Sequence, residues 1–368
     1  MNQNSKKIAL VADWITHWGG AERVLAKLMD MYPDADIYTS VFFPERPEVF
    51  AGRKVYTSFI QYIPFLNRRH KLCMLLRPLA FSLFRFGKYD IVISATSAEA
   101  KGIKTTWKTK HICYCHTPTR YLWSHTEAYR GFLEFGWLNW FAKLVIPTAF
   151  AIMRKWDKKA AQRPDIFIAN SVTTQERIAE YYERESTVVY PFLSSNDRPS
   201  AVNNKRIYFM CLGRVVPYKR FDIAIEACNA LHLPLKIFTS THNTITDKLQ
   251  KISWPTIEWI FDASDEDVSS AFEQAKGFIM PQVEDFGIVA LEAMAHGAPV
   301  IAYGEGGATE TVIHGQTGLL FSEQTPASLA IALERVDEIH WQPEFIREHG
   351  TSFSEERFEE GIRGVVRF

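Results

Sequence analysis

The chain of 368 residues contains no run of 18 uncharged apolar residues, which argues against a transmembrane helix. Cysteine is scarce: there are five, an odd number without a CxxC pair. Neither a disulfide framework nor a thiolate zinc site fits that count, and a reducing cytoplasm is the expected compartment. HExxH, GxGxxG and GxxxxGK[ST] are all missing, so zinc-peptidase, nicotinamide and P-loop chemistry lose their usual signatures. Internal repeats and low-complexity tracts are missing too. Met1 to Lys7 is polar and leads straight into the strand-like run IALVAD, an order unlike that of a cleavable signal peptide.

Net charge is also lacking, since 42 Lys and Arg balance 42 Asp and Glu. That balance hides an asymmetry. Residues 1–195 hold 27 basic against 17 acidic residues, and residues 196–368 hold 15 against 25. From Arg53 to Lys110 there are 12 basic residues and only two acidic ones, Asp90 and Glu99, interleaved with bulky apolar side chains. Such a stretch suits an anionic membrane surface or a polyanion; a core helix with a solvated basic face is the plainer alternative. The acidic second half speaks against a nucleic-acid role.

What the sequence does contain is apolar substance and alternation. At 47% hydrophobic residues and this length, two domains with sizeable cores are expected. Strand patterns at Ile8–Ala12, Asp36–Thr39, Ile91–Ser94, Lys110–Cys115, Asp165–Ala169 and Thr187–Tyr190 alternate with helical ones such as Ala21–Met31 and Thr173–Tyr182. Pro191 to Lys205 is polar and turn-rich, the best linker candidate. A second alternation follows, with strands at Ile207–Leu212, Pro234–Thr239, Thr256–Trp259, Gly277–Met280 and Pro299–Ala302. Ser354 to Val366 reads as a last helix with Ser354 as N-cap. Alternating strands and helices of this kind predict an α/β protein with parallel sheets and a ligand site at the carboxyl ends of the strands, in the cleft between two domains.

Four segments stand where such a site is built. In the segment Pro281 to Ala302, Glu284 falls in a strand-to-helix turn and Glu292 on the helix that follows. The amides of Phe286, Gly287, Ile288 and Val289 would be the unpaired donors of that helix, and paired carboxylates there suit vicinal hydroxyls. An exposed helix residue and an ordinary loop acid are the alternative. Arg214 and Lys219, with Arg220, cluster after the first strand of the second half, behind Gly213; either they hold an anion or they cap a solvated loop. Gly19 and Gly20 sit between the first strand and first helix, where a backbone can approach a phosphate. His116 falls at the end of a strand, before Pro118, as a hydrogen-bond donor to a substrate or as a structural histidine. Asp34 and Asp36 fit an Asp-x-Asp metal pattern but read better as a turn beside Pro33, and Asp265 to Asp267 as the acidic start of a helix.

Taken together, GGAE near the N-terminus, LGRVVPYK opening the second half, and EDFGIVALEAMAHGAPVIA with GGATETVIHGQTGLL resemble the family-4 (group 1) retaining glycosyltransferases of the GT-B fold. The stretch KGIKTTWKTKHICYCHTPTRYLW is similar to bacterial mannosyltransferases of surface polysaccharide assembly. The resemblance implies two Rossmann-like domains facing across a cleft: residues 1–195 toward acceptor and membrane, 196–350 for the nucleotide sugar, and 351–368 as a helix crossing back to the first domain. It implies a metal-independent hexosyltransferase without a cofactor, retaining configuration and transferring mannose from GDP-mannose to a lipid-linked glycan. A UDP-sugar donor, or a non-catalytic sugar-nucleotide-binding scaffold, are the alternatives.

Carried onto this chain, Arg214 and Lys219 would neutralise the donor diphosphate with backbone help from Gly19 and Gly20. Glu292 would hold the ribose. Glu284 and the Phe286–Val289 backbone would face the donor sugar, with His116 at its reacting end, and Asp13 would face a substrate. The segment Phe59 to Lys88, through Arg68, Arg69, Lys71 and Arg77, would rest on the inner face of the cell membrane. The protein is then expected to be cytoplasmic and peripheral.

Overall fold

A computed structural model describes residues 6–64, 67, 73–124, 126, 139–194 and 206–367, with backbone only for 139–146. Two compact units divide it: Met1–Val189 with Val365–Phe368, and Tyr190–Gly364. Among the described residues the first unit is built on seven parallel strands: β1 (Ile8–Ala12), β2 (Asp36–Thr39), β3 (Val55–Thr57), β4 (Ile91–Thr96), β5 (Lys110–Cys115), β6 (Ile166–Ala169) and β7 (Thr187–Val188). Their order across the sheet is β3-β2-β1-β4-β5-β6-β7. The second unit holds β8 (Tyr208–Leu212), β9 (Leu235–Thr239), β10 (Ile257–Phe261), β11 (Ala275–Met280), β12 (Val300–Tyr303) and β13 (Gly318–Phe321). These run parallel in the order β10-β9-β8-β11-β12-β13. In both sheets the chain starts in the middle, winds one way and then reverses, so two neighbouring strands send their following loops in opposite directions. That reversal opens a crevice at the strands' carboxyl ends.

Burial explains why these runs became central strands. β4 is buried at all six positions, as a strand covered on both faces must be. In the second unit Phe209, Cys211, Ile237, Ile279 and Ile301 pack on one face of the sheet, and Met210, Phe278, Met280 and Val300 on the other. The helix Asn139–Ala160 comes close to the residues following β4 because Gly102 has no side chain; a Cβ there would lie 2.6 Å from the Trp156 ring. All five cysteines are buried thiols.

Several expectations need correction. β3 and β13 were not foreseen: Val-Tyr-Thr is too short to show a period, and β13 has a glycine at its start. Pro191 to Leu193 does not behave as a solvated linker, because Phe192 and Leu193 are buried and the Leu193 N–H donates to the Phe353 carbonyl at 2.8 Å. The rest of that segment, 195–205, lies outside the described residues. The acidic run does start a helix, Asp265–Gln274, where Ser264 and Asp267 cap each other's backbone.

One buried group makes folding sensitive to acid. His111 in β5 is fully enclosed, 2.8 Å from the Ser94 hydroxyl, and burial, aided by Arg163 and Arg184, pushes its pKa down to about 3. The folded chain therefore keeps it neutral, while the unfolded chain takes up a proton below about pH 6.5. Stability from this residue is present above that pH and falls as pH drops toward 3, by about 1.4 kcal/mol per unit. Denaturant titrations at pH 7 and 5.5 should show the loss, and His111→Gln should flatten it. An unchanged slope in the variant would refute the assignment.

Candidate active site

The second unit gathers its candidate residues in three loops at the carboxyl ends of β8, β11 and β12. After β8 the chain turns at Gly213, whose φ of +141° suits glycine, and a single 3-10 turn, Pro217–Lys219, returns it. The Lys219 ammonium donates to Glu284 Oε1, and both side chains are largely covered. Gln282 Nε2 donates to the same oxygen at 3.1 Å. Glu284 is held in turn by its backbone: its carbonyl accepts the Gly307 N–H at 2.8 Å. Only glycines permit that approach. A Cβ on Gly306, at φ +70°, would lie 2.4 Å from the Glu284 carbonyl oxygen, and one on Gly307 2.4 Å from the Phe286 Cα.

The helix Ile288–Ala295 begins just beyond, with Gly287 as its N-cap at φ +88° and no side chain capping its first amides. These N–H groups and their dipole favour anionic or hydroxyl oxygens. Phe286 is buried against Tyr190 and Phe353, with ring centroids 5.6 and 5.7 Å away, which fixes the start of the loop. Glu292 lies on the same helix and is buried. Arg214 is exposed and, among the described residues, makes no ion pair or hydrogen bond through its side chain. Arg220 has other work. Its guanidinium grips Asp222 at 2.9–3.1 Å and reaches Gln324 at 3.3 Å, so the expected trio of cations reduces to two.

In the first unit, Gly19 is the extended N-cap of the helix Gly20–Met31, which has no capping side chain. His116 follows β5 directly: its N–H donates to the Thr96 carbonyl at 2.9 Å, and its ring meets Tyr114 edge-on at 5.2 Å. Asp13 is corrected. Thr96 Oγ1 and the N–H groups of Ser97, Ala98 and Ala100 donate to its carboxylate at 2.7–3.0 Å, so its lone pairs hold the loop after β4 rather than a substrate. Burial and the neighbouring Glu99 push its pKa above the usual carboxylate value, against the pull of these bonds.

Arg77 is corrected as well. It is 2% exposed, its Nε and Nη2 donate to Glu99 at 2.7 and 3.0 Å, and its guanidinium lies 5.0 Å from the Trp14 ring centre. A cation so enclosed cannot meet a membrane. Arg68, Arg69 and Lys71 lie outside the described residues. Sequence reasoning missed Gln282, although residues two apart in an extended segment share a side, and it missed the buried Lys101–Asp157 pair altogether.

Among the described residues, no group of three His, Cys, Asp or Glu side chains is placed to hold a metal ion. The two parallel sheets are those of the GT-B class: a solved Anabaena protein, HepE, in complex with UDP and glucose superposes with a TM-score of 0.70 at 17% identity, over 98% of this chain and 99% of that one. Residues 18–195 match the model for Glycosyltransferase Family 4 and residues 194–344 the model for Glycosyl transferases group 1. The chain belongs to this glycosyltransferase family. An uncharacterized glycosyltransferase of Methanocaldococcus jannaschii is 27% identical over 226 residues, 58% of this chain and 61% of that protein. The alpha-1,3/1,6-mannosyltransferase of Dictyostelium discoideum is 23% identical over 82% of this chain and 83% of its own length. The chain thus spans less than two thirds of the archaeal relative.

Proposed function

We propose that the protein is a retaining hexosyltransferase that moves mannose from GDP-mannose to a lipid-linked glycan in surface polysaccharide synthesis, working from the cytoplasmic face of the membrane. The observation that carries this reading is the Lys219–Glu284 contact beside the bare amides of Phe286–Val289. A cation, a carboxylate and a row of N–H groups together suit a sugar diphosphate: Lys219 and Arg214 take the phosphate charge, and Glu284 and the amides take sugar hydroxyls. Glu292 holds the ribose, Gly19 and Gly20 lend backbone, and His116 donates to the sugar at its reacting end. Stabilising the departing diphosphate is the main catalytic task, because charge develops there as the glycosidic bond breaks. The mannosyltransferase of Dictyostelium supports mannose. The UDP complex of HepE keeps a UDP-sugar as the second reading.

Thermal melts against GDP-mannose, UDP-glucose, UDP-N-acetylglucosamine and UDP-galactose, with EDTA present, test the donor. A ligand of the folded state raises the midpoint according to RT ln(1 + [L]/Kd). A shift with GDP-mannose alone is expected. A shift with a UDP-sugar changes the donor, and no shift with any of them favours a scaffold.

A further inference from the structure

The helix Gly20–Met31 starts without the usual device. Its N-cap, Gly19, is extended and has no side chain to accept from the first amides, as a Ser, Thr, Asp or Asn at that place would do. Two adjacent glycines also leave the turn free to swing. What holds it comes from a neighbouring loop, residues 40–46 after β2. The Ile15 N–H donates to the Val41 carbonyl at 3.0 Å, and the Ile15 carbonyl accepts the Phe43 N–H at 2.8 Å. Those bonds carry the parallel pairing of β1 and β2 beyond the strands themselves, with Ile15 opposite Phe42. Gln61 fixes the Phe42 backbone in turn: its Oε1 accepts the Phe42 N–H at 2.8 Å, and its Nε2 donates to the Phe42 carbonyl at 3.4 Å.

Glu45 completes the fastening. Its Oε2 accepts the Trp18 N–H at 2.7 Å and its Oε1 the His17 Nδ1–H at 3.1 Å, so the carboxylate grips the two residues directly before Gly19. The Arg46 guanidinium lies 5.1 Å from the Trp18 ring centre. The bond to Trp18, from a backbone donor to a carboxylate, is of the stronger kind and fixes the peptide plane from which the chain turns into Gly19. Overall stability is not its use. The His17 and Glu45 side chains are 50% and 54% exposed, and a pair so open to water adds little. A capping side chain would hold the turn but occupy the first amides of the helix. A carboxylate that grips the chain one residue ahead of the N-cap holds the turn and leaves those amides open.

We propose that Glu45 is a positioning residue for the sugar nucleotide: by gripping the Trp18 N–H it sets the Gly19–Gly20 backbone where its amides take oxygens of the donor diphosphate. Glu45 touches no substrate itself and acts through the turn. The inference deepens the reading above, in which Gly19 and Gly20 lend backbone to the diphosphate, and it rests on that reading. Its physical content is preorganisation. With the turn held, binding need not order two glycines; with the turn released, the cost of ordering them falls on the nucleotide.

Calorimetric titration of the full chain with GDP and with UDP tests it. For whichever nucleotide binds the unaltered protein, Glu45→Ala should weaken binding about tenfold, the usual worth of one hydrogen bond to a charged group. The melting midpoint without nucleotide should not change, because the contact is exposed. Glu45→Gln keeps an oxygen for the Trp18 N–H and should bind within about threefold of the unaltered protein. A residue that served folding alone would move the midpoint and not this order of affinities. His17→Ala leaves the bond to Trp18 in place and should bind almost as the unaltered protein does. Full affinity in Glu45→Ala would overturn the inference while leaving the donor reading intact. So would Glu45→Gln binding no better than Glu45→Ala, which would make the charge the agent, or His17→Ala losing as much, which would make it the imidazole. Should Glu45→Ala not fold, Glu45→Gln and His17→Ala still decide by the same order. If the unaltered protein binds neither nucleotide, the donor reading fails and this inference with it.

Discussion

Lys219→Ala should lower sugar transfer about 10²- to 10³-fold, the usual loss when one preorganised charge facing a developing anion is removed. The Lys219 ammonium donates to Glu284, so on the reading proposed above a donor phosphate competes with that carboxylate for the cation. Removal should leave folding nearly intact, because the pair is not fully buried and Gln282 still donates to Glu284. Lys219→Arg should restore only part of the rate, since a planar fork does not occupy the place of a point charge. Initial rates with donor and acceptor, beside a melt of each variant, decide the matter. A Lys219→Ala variant retaining more than about a tenth of the activity would remove this residue from the mechanism.

The largest stability effect should come from the buried pair of the first unit. Asp157 is fully enclosed and accepts from Lys101 Nζ at 2.6 Å, Thr119 Oγ1 at 3.0 Å, Trp123 Nε1 at 2.8 Å and the Tyr182 hydroxyl at 2.7 Å. Burial alone would lower the pKa of Lys101; the Asp157 carboxylate overrides it and holds the ammonium charged. Asp157→Asn therefore strands a cation in the core, and the expected loss is about 3–5 kcal/mol. That is a large share of a typical domain's stability of about 5–15 kcal/mol. The double variant Asp157→Leu with Lys101→Met should lose less than Asp157→Asn alone, because no charge is left unpaired. Equilibrium denaturation of the three proteins gives the comparison, and a single-variant loss below about 1 kcal/mol would show that the charge finds water.

Local patterns made the strands and their sequence order legible. β1, β2 and β5 fall where their apolar runs predict, and the helix Ile288–Ala295 begins behind the Glu284 turn as its spacing suggests. Much less could be read where a partner is distant in sequence. Arg77 looked like one more surface cation until Glu99 and Tyr121 closed around it, 22 and 44 residues away. Asp13 looked available because the four backbone and side-chain donors that fill it lie 83 to 87 residues on. A sequence shows what a side chain offers. Which distant groups take up that offer is decided by the crossovers of the sheet.

If the Glu284 loop takes the donor sugar as proposed above, the glycines around it also bear on any attempt to change that sugar. Gly213, Gly287 and Gly306 have φ values of +141°, +88° and +70°, and Gly307 has backbone where a side chain would go. A mutational map of this rim would score them as intolerant, alongside Lys219 and Glu284, although none of the four offers a side chain to a ligand. The room for redesign therefore lies with side chains that carry neither this backbone constraint nor a proposed phosphate contact, and a library confined to them samples recognition while leaving the loop's shape alone.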